Sequence, residues 1–266
     1  MSQRNETTSF EDAPTRRLSL VAGVLFIVTF VTAIAGVILY GPVLDDPGYV
    51  LGGGADTRVF AGASMELLLI VANIGTAVAL FPVLKRQSEA LALGYVTARI
   101  VECTFIAVGI LSLLAVVTLR QDGAGADGGS LVVAGQSLVA IHDWTFLLGP
   151  GFVVGIGNGL ILGYLMYRSG LVPRGLAILG LIAGPVLLAR FVGILFGVFE
   201  PTSALGSLMV VPEFIWELGL GIWLIVKGFN ASAVASLPTD PDDGVMTGVE
   251  QPAVVPSNGH PAPSKA

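Results

Sequence analysis

Six long stretches of the chain contain few or no charged residues, and each is long enough to cross a membrane as a helix. Crossing the hydrocarbon core of a bilayer takes about 20 apolar residues in helical form. None of the stretches shows the strict alternation of a strand, and lipid admits only helices or closed barrels. We therefore predict an all-α, polytopic bundle of six transmembrane helices, with spans near residues 18–40, 59–84, 91–119, 144–167, 176–199 and 207–226.

The segments outside these spans are polar. Residues 1–15 and 231–266 hold few bulky apolar side chains, and the C-terminal segment is rich in proline, so we predict disordered tails around a membrane domain of residues 16–230. Residues 131–143 are apolar but are interrupted by Gly135, Gln136 and Ser137. This segment either lies along the membrane interface or extends the fourth span, and the sequence leaves both open.

Lysines and arginines are distributed unequally between the two ends of the predicted helices. Short loops with an excess of these residues stay in the cytoplasm. The imbalance therefore predicts that both termini are cytoplasmic. One side carries Arg4, Arg16, Arg17, Lys85, Arg86, Arg168, Arg174 and Lys227, and the other carries Arg58 and Arg120.

Composition agrees with a membrane protein and excludes several kinds of site. The chain is 54% hydrophobic and 12% charged, with a mean hydropathy of +0.84. It has one cysteine, Cys103, so it forms no intrachain disulfide, and His142 is the one histidine outside the C-terminal tail. No Walker A loop or zinc-protease motif is present. We predict no catalytic residue, metal or cofactor, and we expect the lipid bilayer rather than nucleic acid as the partner.

Glycine recurs at every fourth position in the fourth span, at Gly151, Gly155, Gly159 and Gly163. Such a stripe lets the backbone of another helix approach closely. The favoured interpretation is packing within one bundle, with the fifth span as partner through its pairs Gly180/Gly184 and Gly193/Gly197. Homodimerisation through the same stripe is the alternative.

Polar residues inside the spans are the candidates for a functional site, because ionisable side chains in lipid are costly and face the bundle interior. Two pairs share a helix face: Arg99 with Glu102, and Glu213 with Glu217. Two arginines face four glutamates, so we expect Glu213 or Glu217 to hold a proton. Glu217 is the better candidate, because it lies deeper from the outer surface. The candidate cluster consists of Glu66, Asn73, Arg99, Glu102, His142, Asp143, Arg190, Glu213 and Glu217.

Two segments resemble a known family. Residues 163–174 read GYLMYRSGLVPR, and residues 217–229 read ELGLGIWLIVKGF. Together with residues 16–35 and Leu84-Lys85, they resemble the bacterial membrane family called domain of unknown function 4386. The resemblance covers about residues 16–230. It implies a six-helix protein of the bacterial inner membrane, and it supplies no activity, cofactor or catalytic residue.

Three functions therefore stay open at the level of sequence. The favoured interpretation is a structural network, in which carboxylates of neighbouring helices neutralise Arg99 and Arg190. A small-solute or proton-coupled carrier that uses Glu66, Arg190, Glu213 and Glu217 is the second. A membrane scaffold or sensor subunit is the third, and the sequence identifies no small-molecule ligand.

Overall fold

The computed structural model describes residues 8–123 and 125–238, and these contain six helices long and apolar enough to cross a membrane. The prediction of an all-α, six-span bundle is confirmed. Residues 1–7, 124 and 239–266 lie outside the described residues, so most of the predicted C-terminal tail does too. The spans are α1 (Thr8–Asp45), α2 (Asp56–Leu84), α3 (Glu89–Asp122), α4 (Gly128–Ser169), α5 (Arg174–Leu195) and α6 (Ala204–Val226).

Helix α1 is longer at both ends than predicted. It begins at Thr8, inside the segment predicted to be disordered, because extending an existing helix gains one hydrogen bond per residue. It also continues past Gly41 and Pro42 to Asp45. Pro42 has no N–H for the carbonyl of Ile38 four residues earlier. Arg58 of α2 donates to that carbonyl at 2.8 Å instead, so the proline does not end the helix.

Helix α4 is continuous from Gly128 to Ser169, so residues 131–143 extend the fourth span. Its N-terminus is capped by Asp127, whose carboxylate accepts the N–H of Ser130 at 2.9 Å. Its middle is wound as π-helix over Leu147–Val153 and Gly155–Leu162. Pro150 lies in the first of these segments and removes one backbone donor there. A wider turn is one way for a helix to accommodate such a residue.

The last two spans differ from the prediction at their ends. Helix α5 stops at Leu195 instead of residue 199, and Gly197 just beyond adopts the left-handed φ of 67° that commonly ends helices. A seventh, short helix, α7 (Ala231–Ser236), lies in the segment predicted to be disordered. The side chain of Asn230 caps it by accepting the N–H of Ser232.

Both described ends of the chain lie on one face of the bundle, which we call the terminal face. Arg16 at the start of α1 bonds the carbonyls of Leu224 and Ile225 at the end of α6. The N–H of Asn230 donates to Leu171 in the α4–α5 turn. The opposite face carries the α1–α2, α3–α4 and α5–α6 connections.

The interior contains two hydrophobic cores at different depths. The core nearer the terminal face includes Phe26, Leu80 and Trp216. The core nearer the opposite face includes Tyr40, Val59 and Leu113. On α3, the polar residues Arg99 and Glu102 lie between the residues that α3 contributes to these two cores, so the candidate site lies at mid-depth.

Candidate functional site

Arg99 of α3 is the centre of a buried polar network. Only 2% of its surface is exposed. One nitrogen of its guanidinium donates to Glu102 at 2.7 Å, and another donates to Glu217 of α6 at 3.1 Å. The amide of Asn73, on α2, donates to the other oxygen of Glu102 at 3.0 Å. Three helices are thus joined by one arginine, two carboxylates and one amide.

Local sequence explains half of this geometry. Arg99 and Glu102 are three residues apart, so they meet on one helix face as predicted. Two aromatic rings also lie beside the Arg99 side chain. The rings of Phe26 and Tyr95 each lie 5.8 Å from the guanidinium carbon, a distance at which a cation is attracted to an aromatic face. Arg99 is therefore held by two charges and two rings.

Glu213 lies one helical turn before Glu217 on α6 and differs from it in its contacts. It is 5% exposed, and neither carboxyl oxygen has a hydrogen-bond partner among the described residues. Glu217 is the residue that contacts Arg99. We call Asn73, Arg99, Glu102, Glu213 and Glu217 the central cluster, of which Glu213 is the unsatisfied member.

A second polar group lies nearer the opposite face. The hydroxyl of Tyr40, on α1, donates to Glu66 of α2 at 2.9 Å. The ring of Tyr40 packs edge-on against His142 of α4, with centroids 5.7 Å apart. His142 is buried, and its Nδ1 lies 3.5 Å from Asp143 in a geometry that forms no hydrogen bond. Asp143 itself is exposed.

The predicted single cluster is therefore two separate groups. Glu66 and Asn73 lie on one face of α2 but seven residues apart, about 10 Å along the axis. Between these two depths lie Leu69 and Ile106, which are both buried and belong to the hydrophobic core nearer the opposite face. Apolar side chains therefore separate Glu66 and His142 from the central cluster. The two groups do not form a continuous polar path.

Arg190 does not belong to either group, which corrects the prediction that carboxylates neutralise it. Its Nε donates to the carbonyl of Gly206 at 2.7 Å, and Nη2 donates to Pro201 at 3.3 Å. No carboxylate of the described residues pairs with it. The connection between α5 and α6 folds back over Arg190, so one backbone carbonyl of the connection and one near the start of α6 satisfy the guanidinium.

Three of the four glycines in the stripe of α4 pack against α5. A side chain on Gly159 would overlap the backbone of Gly184, and one on Gly155 or Gly163 would also meet the backbone of α5. Gly151 is different, since the space beside it is bounded by the backbone of α4 itself. Gly193 faces the ring of Phe199 and takes no part in this contact. Because α5 covers Gly155, Gly159 and Gly163, these residues are not available for dimerisation.

Several residues of the site were not identified from the sequence. Tyr40 is an ordinary aromatic residue in an apolar span, and nothing in its spacing marks it. Tyr95 lies four residues before Arg99 on α3, so helical spacing was the available signal for it. Asn158 of α4 is 1% exposed, and its side-chain amide has no partner in the described structure. The indole N–H of Trp216 donates to the backbone carbonyl of Asn158 at 3.2 Å. An uncharged polar residue among glycines was the available signal for Asn158.

The sequence also gave no indication of a polar network on the opposite face. Arg120 of α3 forms an ion pair with Asp56 of α2, and Gln121 donates to the same carboxylate. Tyr49, in the loop between α1 and α2, donates to Asp56 at 2.7 Å. Burial and the neighbouring carboxylate raise the pKa of Tyr49. This network connects the α1–α2 loop to the end of α3 at the opposite face.

Comparisons with known proteins agree with this architecture. The sequence profile of the family described as "Domain of unknown function (DUF4386)" matches residues 21–228, which include all six spans apart from the first part of α1. No curated protein and no solved structure matches the chain. On the strength of the family match, the chain is a multi-pass membrane protein that belongs to the DUF4386 family.

Proposed function

We propose that the protein is a proton-coupled carrier of a small solute, in which Glu213 is the intramembrane proton-binding group. The observation that carries the proposal is the isolation of the Glu213 carboxyl, which is buried without a hydrogen bond. A charged carboxylate in such a place is very costly, so the group holds a proton or faces a bound cation. Ionisable residues at this depth are characteristic of proton relays and ion pathways.

The neighbouring ion pairs give the proton a means of changing the structure. Glu217 contacts Arg99, and Glu213 lies one turn away on the same helix. When Glu213 loses its proton, it competes with Glu217 for the single guanidinium of Arg99. Protonation would then determine which carboxylate Arg99 contacts, and with it the position of α6 against α3.

Helix α4 supports the same proposal through its irregular winding. π-Helical turns occur frequently at functional sites, and here they lie beside α5 in the close glycine contact. A contact in which glycine backbones meet directly offers few side-chain knobs to oppose small sliding movements of the two helices. Asn158, with an unsatisfied amide in the second π segment, supplies further polar atoms in the interior.

Carbodiimide labelling tests the proton-binding group directly, because the reagent attacks protonated carboxyls in apolar surroundings. Purified protein in detergent should be labelled at Glu213 at neutral pH, and Glu213→Gln should abolish that adduct in a mass-spectrometric digest. Glu200, an exposed carboxylate on the opposite face, is the internal control and should stay unlabelled. Absence of label at Glu213, also after cations are stripped, would remove the basis of the proposal.

A second experiment tests coupling without knowledge of the solute. In proteoliposomes on a solid-supported membrane, a pH step should displace charge as the buried site exchanges its proton. The transient current should be lost in Glu213→Gln and retained in Glu200→Gln. Solutes are then screened for sustained current under a pH gradient. A wild-type protein that shows no transient is not a proton-coupled carrier.

The alternative function is a membrane scaffold with a static polar network. The observation that favours it is the complete pairing of Arg99, whose guanidinium contacts Glu102, Glu217 and the hydroxyl of Tyr95. Such a network fixes helix register without further activity. It predicts no proton-induced current, so the second experiment above distinguishes it from a carrier.

The bacterial inner membrane, with both termini in the cytoplasm, is the location that we propose. The excess of lysine and arginine on the terminal face supports this orientation. Reporter fusions described in the Discussion test it.

A further inference from the structure

A cleft of about 540 Å³ opens on the terminal face, where the α4–α5 turn meets the end of α6. Its walls are residues 170–174, Trp223 and residues 227–230. The backbone bond from Asn230 to Leu171, 2.9 Å long, holds the two walls together. Apart from Asn230, these walls come from the two segments that carry the family resemblance, residues 163–174 and 217–229. The central cluster, at mid-depth, does not involve this cleft.

The cleft is positively charged and contains no acidic residue. Arg174 and Lys227 both line it, and neither side chain has a hydrogen bond or ion pair with a described residue. Two other arginines on this face are committed to backbone carbonyls. Arg16 bonds Leu224 at 3.0 Å, and Arg86 bonds Pro238 at 2.9 Å. Two uncompensated cations in one concave site favour an anion there.

Backbone N–H groups at the start of α5 add hydrogen-bond donors to those of the two cationic side chains. Helix α5 begins at Arg174, and the N–H groups of Leu176 and Ala177 both bond to the carbonyl of Pro173. Those of Arg174 and Gly175 have no acceptor among the described residues, and open space lies beside Gly175. Free N–H groups at a helix start bind anions, and the helix dipole contributes in the same direction.

We propose that this cleft binds a phosphate group, either that of an anionic phospholipid or that of a soluble phosphate ester. A phosphate presents several acceptor oxygens and a charge that suits two cations and two backbone donors at once. The cleft also lies at the ends of α4 and α6, at the level where lipid headgroups meet water. Basic pockets between transmembrane helices at this level bind lipid headgroups.

Binding to the delipidated full chain in a neutral detergent tests the proposal and identifies the source of the phosphate. The probes are phosphatidylglycerol, phosphatidylcholine, glycerol 3-phosphate and inorganic phosphate, and the readout is a saturable rise in thermal stability. A response to phosphatidylglycerol and not to phosphatidylcholine assigns the cleft to an anionic lipid. A response to glycerol 3-phosphate or inorganic phosphate assigns it to a soluble ester.

Substitutions locate the response. Arg174→Gln and Lys227→Gln should each weaken binding roughly tenfold, the expected loss for one hydrogen bond to a charged group. Arg17→Gln is the matched control, because Arg17 is exposed near the terminal face and does not line the cleft. It should change the affinity less than about twofold, within the usual effect of a distant surface charge. Elution as a single folded species is required of every variant.

Two results would overturn the proposal. One is the absence of a saturable response to all four probes. The other is an equal loss of affinity in Arg17→Gln and Arg174→Gln, which would indicate diffuse surface charge instead of a site. Glu213→Gln should bind the phosphate normally, so this experiment fails or succeeds independently of the proposed carrier function.

Discussion

At the scale of single residues, the two arginines inside the spans are stabilised by different chemistry. Arg99 is paired with two carboxylates in a closed interior. Arg190 is partly buried and bonds two carbonyls near the opposite face. Removing the Arg99 guanidinium leaves two buried carboxylates without their counter-charge. Removing that of Arg190 leaves only neutral carbonyls without a donor. The two positions should therefore respond differently to the same substitution.

Arg99→Leu should destabilise the protein more than Arg190→Leu does. Losing one partner of a buried ion pair costs about 3–5 kcal/mol, and an unsatisfied carbonyl costs about 1–3 kcal/mol. Reversible unfolding in mixed micelles measures both changes in the free energy of unfolding. Equal destabilisation would mean that Glu102 and Glu217 are not charged partners of Arg99. In that case, the proposed competition between Glu213 and Glu217 would also be wrong.

The sequence predicted only those contacts of the site that depend on local spacing. Arg99 with Glu102 followed from the three-residue separation within one helix. The partner of Arg190 did not follow, because it depends on how the α5–α6 connection folds back. The choice of Glu217 as the protonated carboxyl relied on depth alone. The contact between Glu217 and Arg99 makes Glu213 the better candidate, and that contact depends on how α3 and α6 pack together.

At the scale of helices, α4 combines two features that the sequence indicated unequally. The glycine stripe is a spacing pattern and was recognised with its partner α5. The π-helical winding is a property of the backbone, and only Pro150 and the density of glycine relate to it in the sequence. The ends of α1 and α5 were misplaced for a similar reason. Helix α1 continues through Pro42 because of a hydrogen bond from another helix, and α5 ends near Gly197 because of a positive φ, and composition shows neither.

Matched alanine substitutions on α4 should have opposite effects. Gly159→Ala places a methyl group against the backbone of Gly184 and should cost about 1–3 kcal/mol, as overpacking does. Gly151→Ala meets no other helix and should stabilise the helix by about 0.5–1 kcal/mol through reduced backbone entropy. Thermal unfolding in detergent compares the two. A stable Gly159→Ala variant would contradict the close contact between α4 and α5.

The first turn of α4 should depend on Asp127 and on pH. Hydrogen bonds from the N–H and hydroxyl of Ser130 lower the pKa of Asp127 below its usual value of about 3.9. Because the pKa is lowered in the folded state, this cap stabilises the turn at neutral pH and is lost as the pH falls through that lowered value. Asp127→Ala should speed amide exchange in residues 128–131 several-fold, whereas Asp127→Asn, also a good cap, should not. Equal exchange in both variants would exclude a capping role.

At the scale of the whole molecule, the arrangement of charges is as informative as the arrangement of apolar residues. Two hydrophobic cores enclose a polar layer at mid-depth, and most remaining cations lie at the terminal face. Hydropathy alone was sufficient to predict six spans, because lipid requires a helix of this length wherever the chain crosses. The proposed orientation rests on a different principle, the retention of lysine and arginine in the cytoplasm.

Reporter fusions should show alkaline phosphatase activity only on the opposite face. The enzyme folds in the periplasm, where its disulfides form, and stays inactive in the cytoplasm. Fusions after Gly53 and Ala126, in the two loops between α1 and α2 and between α3 and α4, should be active. Fusions after Arg86 and Pro238, on the terminal face, should be inactive, and a cytoplasmic fluorescent reporter at the same sites should give the reverse pattern. Activity after Pro238 would mean that the terminal face is periplasmic. The phosphate cleft would then face the periplasm, and the excess of cations would not have determined the orientation.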